Sequence, residues 1–321
     1  MNISDFSREL HQKLQWLSHV SLIAHKNPDG DAFGSLEGMR QLLLSNLPQL
    51  QVDVILPPEE DFDEHVSWVT GETVSAIPAE TQMIILLDAS RLNRTALPVE
   101  MFEKYDVICI DHHESFDDSQ KGYRDATASA TCLLLTELAL SLKWDISSQA
   151  ATALLMGIYT DTGGFIHRNT DVRSFAAAGE LVSRWADQPR ISTEVFGNYS
   201  LTYLHDLGHG LLSIVVEDDI ACLFLGKATN AALKNHIIGF LSGLQHVDIA
   251  CVLVELDGVI KCSFRTRNAD RDVNELAKKL WGGGHKKASW CILEWHLEDD
   301  GLHWQWKLYT PKTFAQFLKT L

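Results

Sequence analysis

The sequence predicts an α/β fold in two parts: an N-terminal domain over 1–188 built on a parallel sheet, a linker over 189–209, and a smaller α+β domain with a mixed sheet over 210–321. Three observations predict it. Through the first half, short apolar runs alternate with helix-period segments, and a strand, helix, strand order implies parallel pairing through right-handed crossovers. Several of those runs stop at carboxylates and imidazoles, where open parallel sheets gather their ligands, beyond the carboxyl ends of the strands. From about Leu211 the chain becomes strand-rich with two helical interruptions, which marks a second domain of different construction.

Taken in order, the runs 20–24, 52–56, 83–87 and 107–110 have the length, branched residues and turn-rich borders of strands. The first leads into His25-Lys26-Asn27-Pro28-Asp29-Gly30-Asp31, the third into Asp88-Ala89-Ser90, and the fourth into Asp111-His112-His113-Glu114. Between the first two, Phe33, Leu36, Met39, Leu42 and Leu43 recur at helical spacing over 31–44. The acidic run 57–64 reads as a solvated loop. Helical patterns follow at 129–142 and 147–159, and the second delivers Asp161 in Thr160-Asp161-Thr162-Gly163-Gly164, whose glycines turn the chain away. A helix over 172–185 precedes a weakened pattern at Asp187-Gln188-Pro189-Arg190, where the linker is placed. Beyond it, strands are expected at 211–216, 220–225, 249–256, 259–264, 290–295 and 304–308, with helices at 234–244 and 273–280. There is no internal repeat.

At 321 residues, two domains can each bury a core, and 45% apolar with 22% charged residues is ordinary for a globular protein. No run approaches the roughly 18 apolar residues of a membrane span, and Asp5 and Glu9 stand where a signal peptide is apolar. A cytoplasmic protein with no membrane partner is therefore expected. The six cysteines, Cys109, Cys132, Cys222, Cys251, Cys262 and Cys291, lack paired zinc spacing and read as reduced packing residues. A net charge of −16 repels a polyphosphate backbone and argues against a groove for long nucleic acid, while leaving room for a small phosphorylated ligand. Local basic groups stand at Arg265-Thr266-Arg267 with Arg271 and at His285-Lys286-Lys287, and are most simply solvated surface charges.

Carboxylates and imidazoles at the ends of buried strands are costly unless a positive charge neutralises them, and bound divalent cations are the simplest candidate. Taken singly, His25 is an ordinary histidine and the Asp29-Gly30-Asp31 stretch a turn. Four such groups in one predicted sheet point to a metal site. Mixed carboxylate and imidazole donors without cysteine suit a hard or borderline ion such as Mn²⁺. Six candidates are too many for one ion that keeps a position open, so two ions sharing a carboxylate are expected, with phosphoester or phosphoanhydride hydrolysis as the reaction class.

These motifs, His25 to Asp31, Asp88-Ala89-Ser90, Asp111-His112-His113 and Thr160-Asp161-Thr162-Gly163, resemble the four motifs of the DHH phosphoesterase superfamily. Gly282-Gly283-Gly284-His285, preceded by Ser263-Phe264-Arg265-Thr266, is similar to its DHHA1 substrate-binding domain. Motif order, spacing and length most resemble the bacterial nanoRNase and pAp phosphatase branch, and the resemblance spans essentially the whole chain. It implies a DHH catalytic domain over 1–188, a DHHA1 domain over 210–321 and an active site in the cleft between them. It further implies that His25, Asp29 and Asp88 hold one Mn²⁺, that Asp31, Asp88, His112 and Asp161 hold the other, and that Asp88 bridges. His113 would face the scissile phosphate, and Asp111 would orient an imidazole. A hydroxide bridging the ions would attack in line, so His112, His113 and Asp88 form the implied catalytic set.

The implied activity is hydrolysis of short oligoribonucleotides, roughly two to five residues long because the acidic chain lacks the extended basic channel of long-strand binders, together with hydrolysis of pAp to AMP. Arg265, Gly282, Gly283, Gly284 and His285 would bind substrate, since consecutive glycines let backbone N–H groups approach an anion and the two side chains add charge-assisted hydrogen bonds. The chain departs from the family's small residues at Ala288-Ser289-Trp290. Trp290 is expected in the core, with base stacking as the alternative. Other readings are a linear or cyclic dinucleotide phosphodiesterase of the same superfamily, a manganese pyrophosphatase, whose basic second-domain motif is not found, and a non-catalytic nucleotide-binding regulator, against which the complete ligand set argues. A homodimer through the apolar helices after Ser129 is left open.

Overall fold

The computed structural model describes residues 2–57, 64–113, 121–227, 231–256, 259–294, 296–298, 301–304 and 307–321. Most of the acidic run at 57–64, and Glu114, lie outside them. The chain forms two compact units, Met1–Asn198 and Tyr199–Leu321. Among the described residues no helix is long and apolar enough to cross a membrane.

In unit 1, helix α1 (Ile3–Leu14) precedes β1 (His19–Ile23), α2 (Gly30–Asn46), β2 (Gln51–Val54), the short α3 (Glu64–Ser67), β3 (Met83–Leu87), β4 (Asp106–Asp111) and β5 (Gly122–Arg124). The strands form one parallel sheet in the order β2-β1-β3-β4-β5. Both faces are covered, as apolar runs without alternation require. Val20, Leu22, Ile85, Leu87 and Ile110 face the main helical core. Ile23, Ile84, Leu86 and Cys109 face the other way, against Phe102 and partly buried Leu92 and Leu97. Helices α4 (Thr131–Ser141), α5 (Ser148–Asp161), α6 (Val172–Ser183) and α7 (Gln188–Phe196) complete the unit. The apolar helices after Ser129 pack inside it, with Leu133, Leu134, Leu135 and Leu138 fully buried. The segment expected as a linker, 189–209, carries most of α7 and of α8 (Leu201–Leu212).

Helices α2 and α5 meet at a glycine seam. A Cβ on Gly34 would lie 2.5 Å from the Ala153 carbonyl oxygen, one on Gly38 2.6 Å from Leu154 Cδ2, one on Gly30 2.4 Å from Thr160 Cγ2, and one on Gly157 2.3 Å from Cys132 Sγ. Glycines at 30, 34 and 38 lie on one ridge of α2, four residues apart, so their bare backbone admits α5 along its length.

Unit 2 continues from α8 with β6 (Val215–Glu217), β7 (Ile220–Lys227), α9 (Ala231–Ser242), β8 (Ile249–Leu256), β9 (Val259–Arg265), α10 (Val273–Lys279), β10 (Gly283–His285), β11 (Ala288–Leu293), β12 (His296–Glu298), β13 (Gly301–Trp304), β14 (Lys307–Tyr309) and α11 (Pro311–Thr320). The strand expected at 211–216 is corrected. Leu211 and Leu212 end α8, where α8 packs on α9 through Gly210 and Ile237, and the strand starts at Val215. The main sheet runs β10-β11-β9-β8-β7-β6, with only β7 and β8 parallel among its pairs, and β12-β13-β14 form a small antiparallel sheet. One face of the main sheet packs on α10 and α11. The other, at β7 and β8, is covered by Leu233, Ile237, Ile238 and Leu241 of α9 and by Tyr203 of α8. On the first face Cys222, Cys251, Cys262 and Cys291 stand on adjacent strands, and Cys251 and Cys262 have sulfurs 3.4 Å apart. All six cysteines are free thiols and buried.

Candidate metal centre

Each candidate ligand stands where an element begins or ends. Asp29 caps α2, its Oδ1 accepting the N–H groups of Asp31 and Ala32 at 3.1 Å. Asp88 follows β3 with φ of +54°, left-handed backbone that few residues besides glycine, asparagine and aspartate adopt, and its N–H donates to Ile110 across the sheet at 3.1 Å. Asp111 closes β4 ahead of His112 and His113, and Asp161 is the last residue of α5. Gly163 and Gly164, at φ of +57° and +67°, turn the chain away beyond it.

The structure brings these residues together. His25, Asp29 and Asp88 offer donor atoms within 4.8 Å of one another, as do Asp31, His112 and Asp161, and Asp88 also groups with His112 and His113. His25 Nε2 lies 3.7 Å from Asp29 Oδ1 and 3.5 Å from Asp88 Oδ2. His112 Nε2 lies 3.8 Å from Asp31 Oδ2, 3.5 Å from Asp88 Oδ1 and 3.3 Å from Asp161 Oδ2. The two oxygens of Asp88 therefore face different groups.

The rings are fixed in a ligand-like tautomer. His25 Nδ1 donates to the Lys26 carbonyl at 2.9 Å and His112 Nδ1 to the Ala128 carbonyl at 3.3 Å. A carbonyl only accepts, so Nδ1 carries the proton in both rings and, in the neutral imidazole, the Nε2 lone pair faces the carboxylates. His113 differs: its Nδ1, not its Nε2, faces the carboxylates and donates to Asp111 Oδ1 at 2.7 Å. Asp111 Oδ2 is buried with no hydrogen-bond partner among the described residues.

The electrostatics call for a cation. Burial and then Asp88 push the Asp31 carboxyl up to about 7. Burial, with Asp31, Asp29 and Asp88, holds Asp161 well above the usual carboxylate range. Burial lowers His25, but Asp29 and Asp88 outweigh it and lift the imidazole to about 11. Crowded carboxylates around inward-facing imidazole nitrogens are what a bound divalent ion relieves, and an all-oxygen and nitrogen donor set suits a hard or borderline one. The residues fit such an ion.

Sequence reasoning missed the supports. Asp31 Oδ2 accepts the Thr131 N–H at 2.6 Å and Oδ1 the Cys132 N–H at 2.9 Å, so this carboxylate serves the N-terminus of α4, where Ala130 has no side chain to cap it. Thr131 Oγ1 donates to Asp88 Oδ1 at 3.0 Å. The glycine seam sets Gly157 close to Asp31: a Cβ there would lie 2.8 Å from its Oδ1. The small residues Ser129-Ala130-Thr131 at the start of α4 were the signal available.

In unit 2, Arg265 ends β9, and Gly283, Gly284 and His285 form β10 opposite Trp290, Ser289 and Ala288. The three glycines differ in what they do. A Cβ on Gly282 would lie 2.1 Å from the Trp290 carbonyl oxygen and one on Gly284 2.6 Å from Ser289 Cα, so both are required by strand packing, while Gly283 faces open space. The expectation that Trp290 is a core residue is corrected: it is 47% exposed, on the face of β11 opposite the core residues Cys291 and Leu293. Of the basic groups, Arg271 pairs with Asp219 and Asp248, and Lys287 Nζ donates to the carbonyls of Asn268, Ala269 and Arg271.

Residues 19–158 match the DHH family, N-terminal domain. The bifunctional oligoribonuclease and PAP phosphatase NrnA of Bacillus subtilis is 28% identical over 309 residues, covering 91% of this chain and 95% of that protein. The protein of the same name from Mycoplasma pneumoniae is 26% identical over 287 residues, covering 86% and 87%. The crystal structure of an exopolyphosphatase-related protein from Bacteroides fragilis superposes with a TM-score of 0.81 at 24% identity, covering 98% of this chain and 94% of that one, and shares the fold. The DHH match spans the elements that carry His25, Asp29, Asp31, Asp88, Asp111, His112 and His113 and ends three residues before Asp161, and the NrnA relatives align over most of both units. Residues 19–158 thus carry the match to the DHH family, N-terminal domain, and the chain as a whole resembles the NrnA-type proteins.

Proposed function

We propose that this phosphoester hydrolase cuts short oligoribonucleotides, roughly two to five residues long, to mononucleotides, that it also converts pAp to AMP, and that it uses two divalent ions, Mn²⁺ in preference. The names of the curated relatives support the substrates. One observation carries the chemistry: Asp88 turns one oxygen toward His25 and the other toward His112, each ring presenting Nε2. His25, Asp29 and Asp88 would hold one ion, and Asp31, Asp88, His112 and Asp161 the other. When bound, such ions polarise a phosphoryl oxygen and lower the pKa of bound water.

The chain's own residues do the rest. Asp111 holds the His113 ring by Nδ1, and although burial lowers this imidazole, Asp111 and Asp88 raise it on balance, so its Nε2–H is available to a phosphate oxygen. Thr131 fixes the Asp88 carboxylate. Arg265 and His285 of unit 2 would grip substrate, and the net charge of −16 disfavours long nucleic acid. The proposed setting is the cytoplasm, where reduced thiols such as the six buried cysteines persist.

The test is Mn²⁺-dependent product release from pAp, a diribonucleotide, a five-residue RNA, long single-stranded DNA, cyclic di-AMP and pyrophosphate, with Asp88→Ala as control. Mononucleotides released from the short RNAs and AMP from pAp, both abolished in the variant, are expected. Turnover of cyclic di-AMP or pyrophosphate alone would overturn the substrate assignment.

A further inference from the structure

In a chain with a net charge of −16, three cations of unit 2 lie near one another. Lys234 of α9 is 92% buried, being only 8% exposed, and Lys261 and Arg265 of β9 lie close enough for their charges to act on it. Among the described residues none of the three forms an ion pair, whereas Lys278, Lys312, Lys319 and Arg271 of the same unit all do. Burial and then these two like charges push the Lys234 ammonium down to about 8. Burying an unpaired ammonium beside two other cations is unfavourable unless an anion takes the place of the missing carboxylate.

The surface beside them has the other half of a nucleotide site. Lys261, Ser263 and Arg265 alternate along β9, and Ala288, Trp290 and Ile292 along β11, on the sheet face that α9 packs against at β7 and β8. Trp290 and Ile292 are 47% and 48% exposed. Lys261 Nζ sits 5.4 Å from the centre of the indole ring. Gly283 stands directly opposite Trp290 in the β10–β11 pair, with nothing within 4 Å of where its Cβ would be, so the flank of the indole toward β10 is open. An exposed indole bordered by bare backbone and by unpaired cations suits a base stacked beside its own phosphate.

We propose that Lys234, Lys261 and Trp290, together with Arg265, form a nucleotide subsite on the α9 side of the unit 2 sheet, in which the indole stacks a base and the cations hold the adjoining phosphate. This rests on the nucleotide reading of the proposed function and adds to it a preference for a substrate carrying a base, supplied by residues outside the glycine and histidine motif. Lys234 and Lys261 are then affinity residues for phosphate, and Trp290 a specificity residue for the base.

The test is binding of 5′-phosphorylated diadenylate to the full-length protein in EDTA, compared with an analogue that lacks both bases. Trp290→Ala is expected to weaken diadenylate binding roughly tenfold and to leave the abasic analogue unchanged, with Trp290→Phe recovering most of the loss. Lys261→Met and Lys234→Met are expected to weaken both ligands and to flatten the salt dependence. Equal diadenylate affinity in wild type and Trp290→Ala, or no binding by the wild type, would overturn the subsite. Hydrolysis with Mn²⁺ is measured separately on the same preparations. Turnover of short RNA without Trp290-dependent binding removes the subsite and keeps the proposed function; Trp290-dependent binding without turnover does the reverse.

Discussion

Asp88 combines left-handed backbone with a carboxylate shared between two imidazoles, and asparagine tolerates the same backbone. Asp88→Asn is therefore expected to fold with an unchanged circular dichroism spectrum yet to lose Mn²⁺-dependent hydrolysis by roughly 10³-fold, because bound ions supply several kcal/mol of transition-state stabilisation. Asp111 acts through His113, and Asp111→Asn keeps an acceptor for Nδ1 while removing the charge. Its expected cost is about 10- to 100-fold in kcat, read as a steady-state rate. The crowding also has a pH signature. The native state binds a proton on Asp31 that the unfolded chain gives up above the ordinary carboxylate range, and one on His25 that it gives up above the ordinary imidazole range. Both contributions are lost as pH rises, Asp31 through about 7 and His25 through about 11, so the urea midpoint of EDTA-treated protein should fall between about pH 5 and pH 8. Saturating Mn²⁺ should remove or reverse that fall; a midpoint that rises with pH in EDTA would contradict the account.

At the scale of elements, the α2–α5 seam makes opposite predictions for glycines in otherwise similar helices. Gly34→Ala or Gly157→Ala must displace backbone or the Cys132 thiol, and is expected to lower stability by about 1–3 kcal/mol in urea unfolding and to reduce activity by shifting Asp31 and Asp161. Gly179→Ala in α6, with nothing within 4 Å, should raise stability by about 0.5–1 kcal/mol. The seam also shows where reading the chain stops. The strands at β1, β3 and β4 and the ligands behind them were legible because apolar length and polar stops are local. The pairing of α2 with α5 was not, since α2 is buried on nearly every side and a periodic pattern says nothing about which helix fits its glycine ridge. The same limit hid the service of Asp31 to α4, a contact between residues 100 apart. Trp290 was misplaced because alternation in β11 fixes which residues share a face but not which face a helix covers. The linker read at 189–209 held two helices whose patterns are short and interrupted by Pro189 and Gly197.

For the whole molecule, charge sets what the two units can bind. A protein that neutralises six to ten phosphates loses roughly 10³ to 10⁵ in affinity between 50 and 200 mM salt. With a net charge of −16, KM for a diribonucleotide should rise less than about tenfold over that range, and long single-stranded DNA should compete poorly. A steep salt dependence would point to an extended contact surface instead. The row of thiols across β7, β8, β9 and β11 adds a built-in clock. Cys222, Cys251, Cys262 and Cys291 are all buried, so an alkylating reagent reaches them only when unit 2 opens, while Cys109 and Cys132 report on unit 1 in the same way. Peptide-resolved labelling then times the opening of each unit separately in one sample, and Mn²⁺ should slow the modification of Cys132, whose N–H is tied to Asp31, without changing the rate at the four cysteines of unit 2.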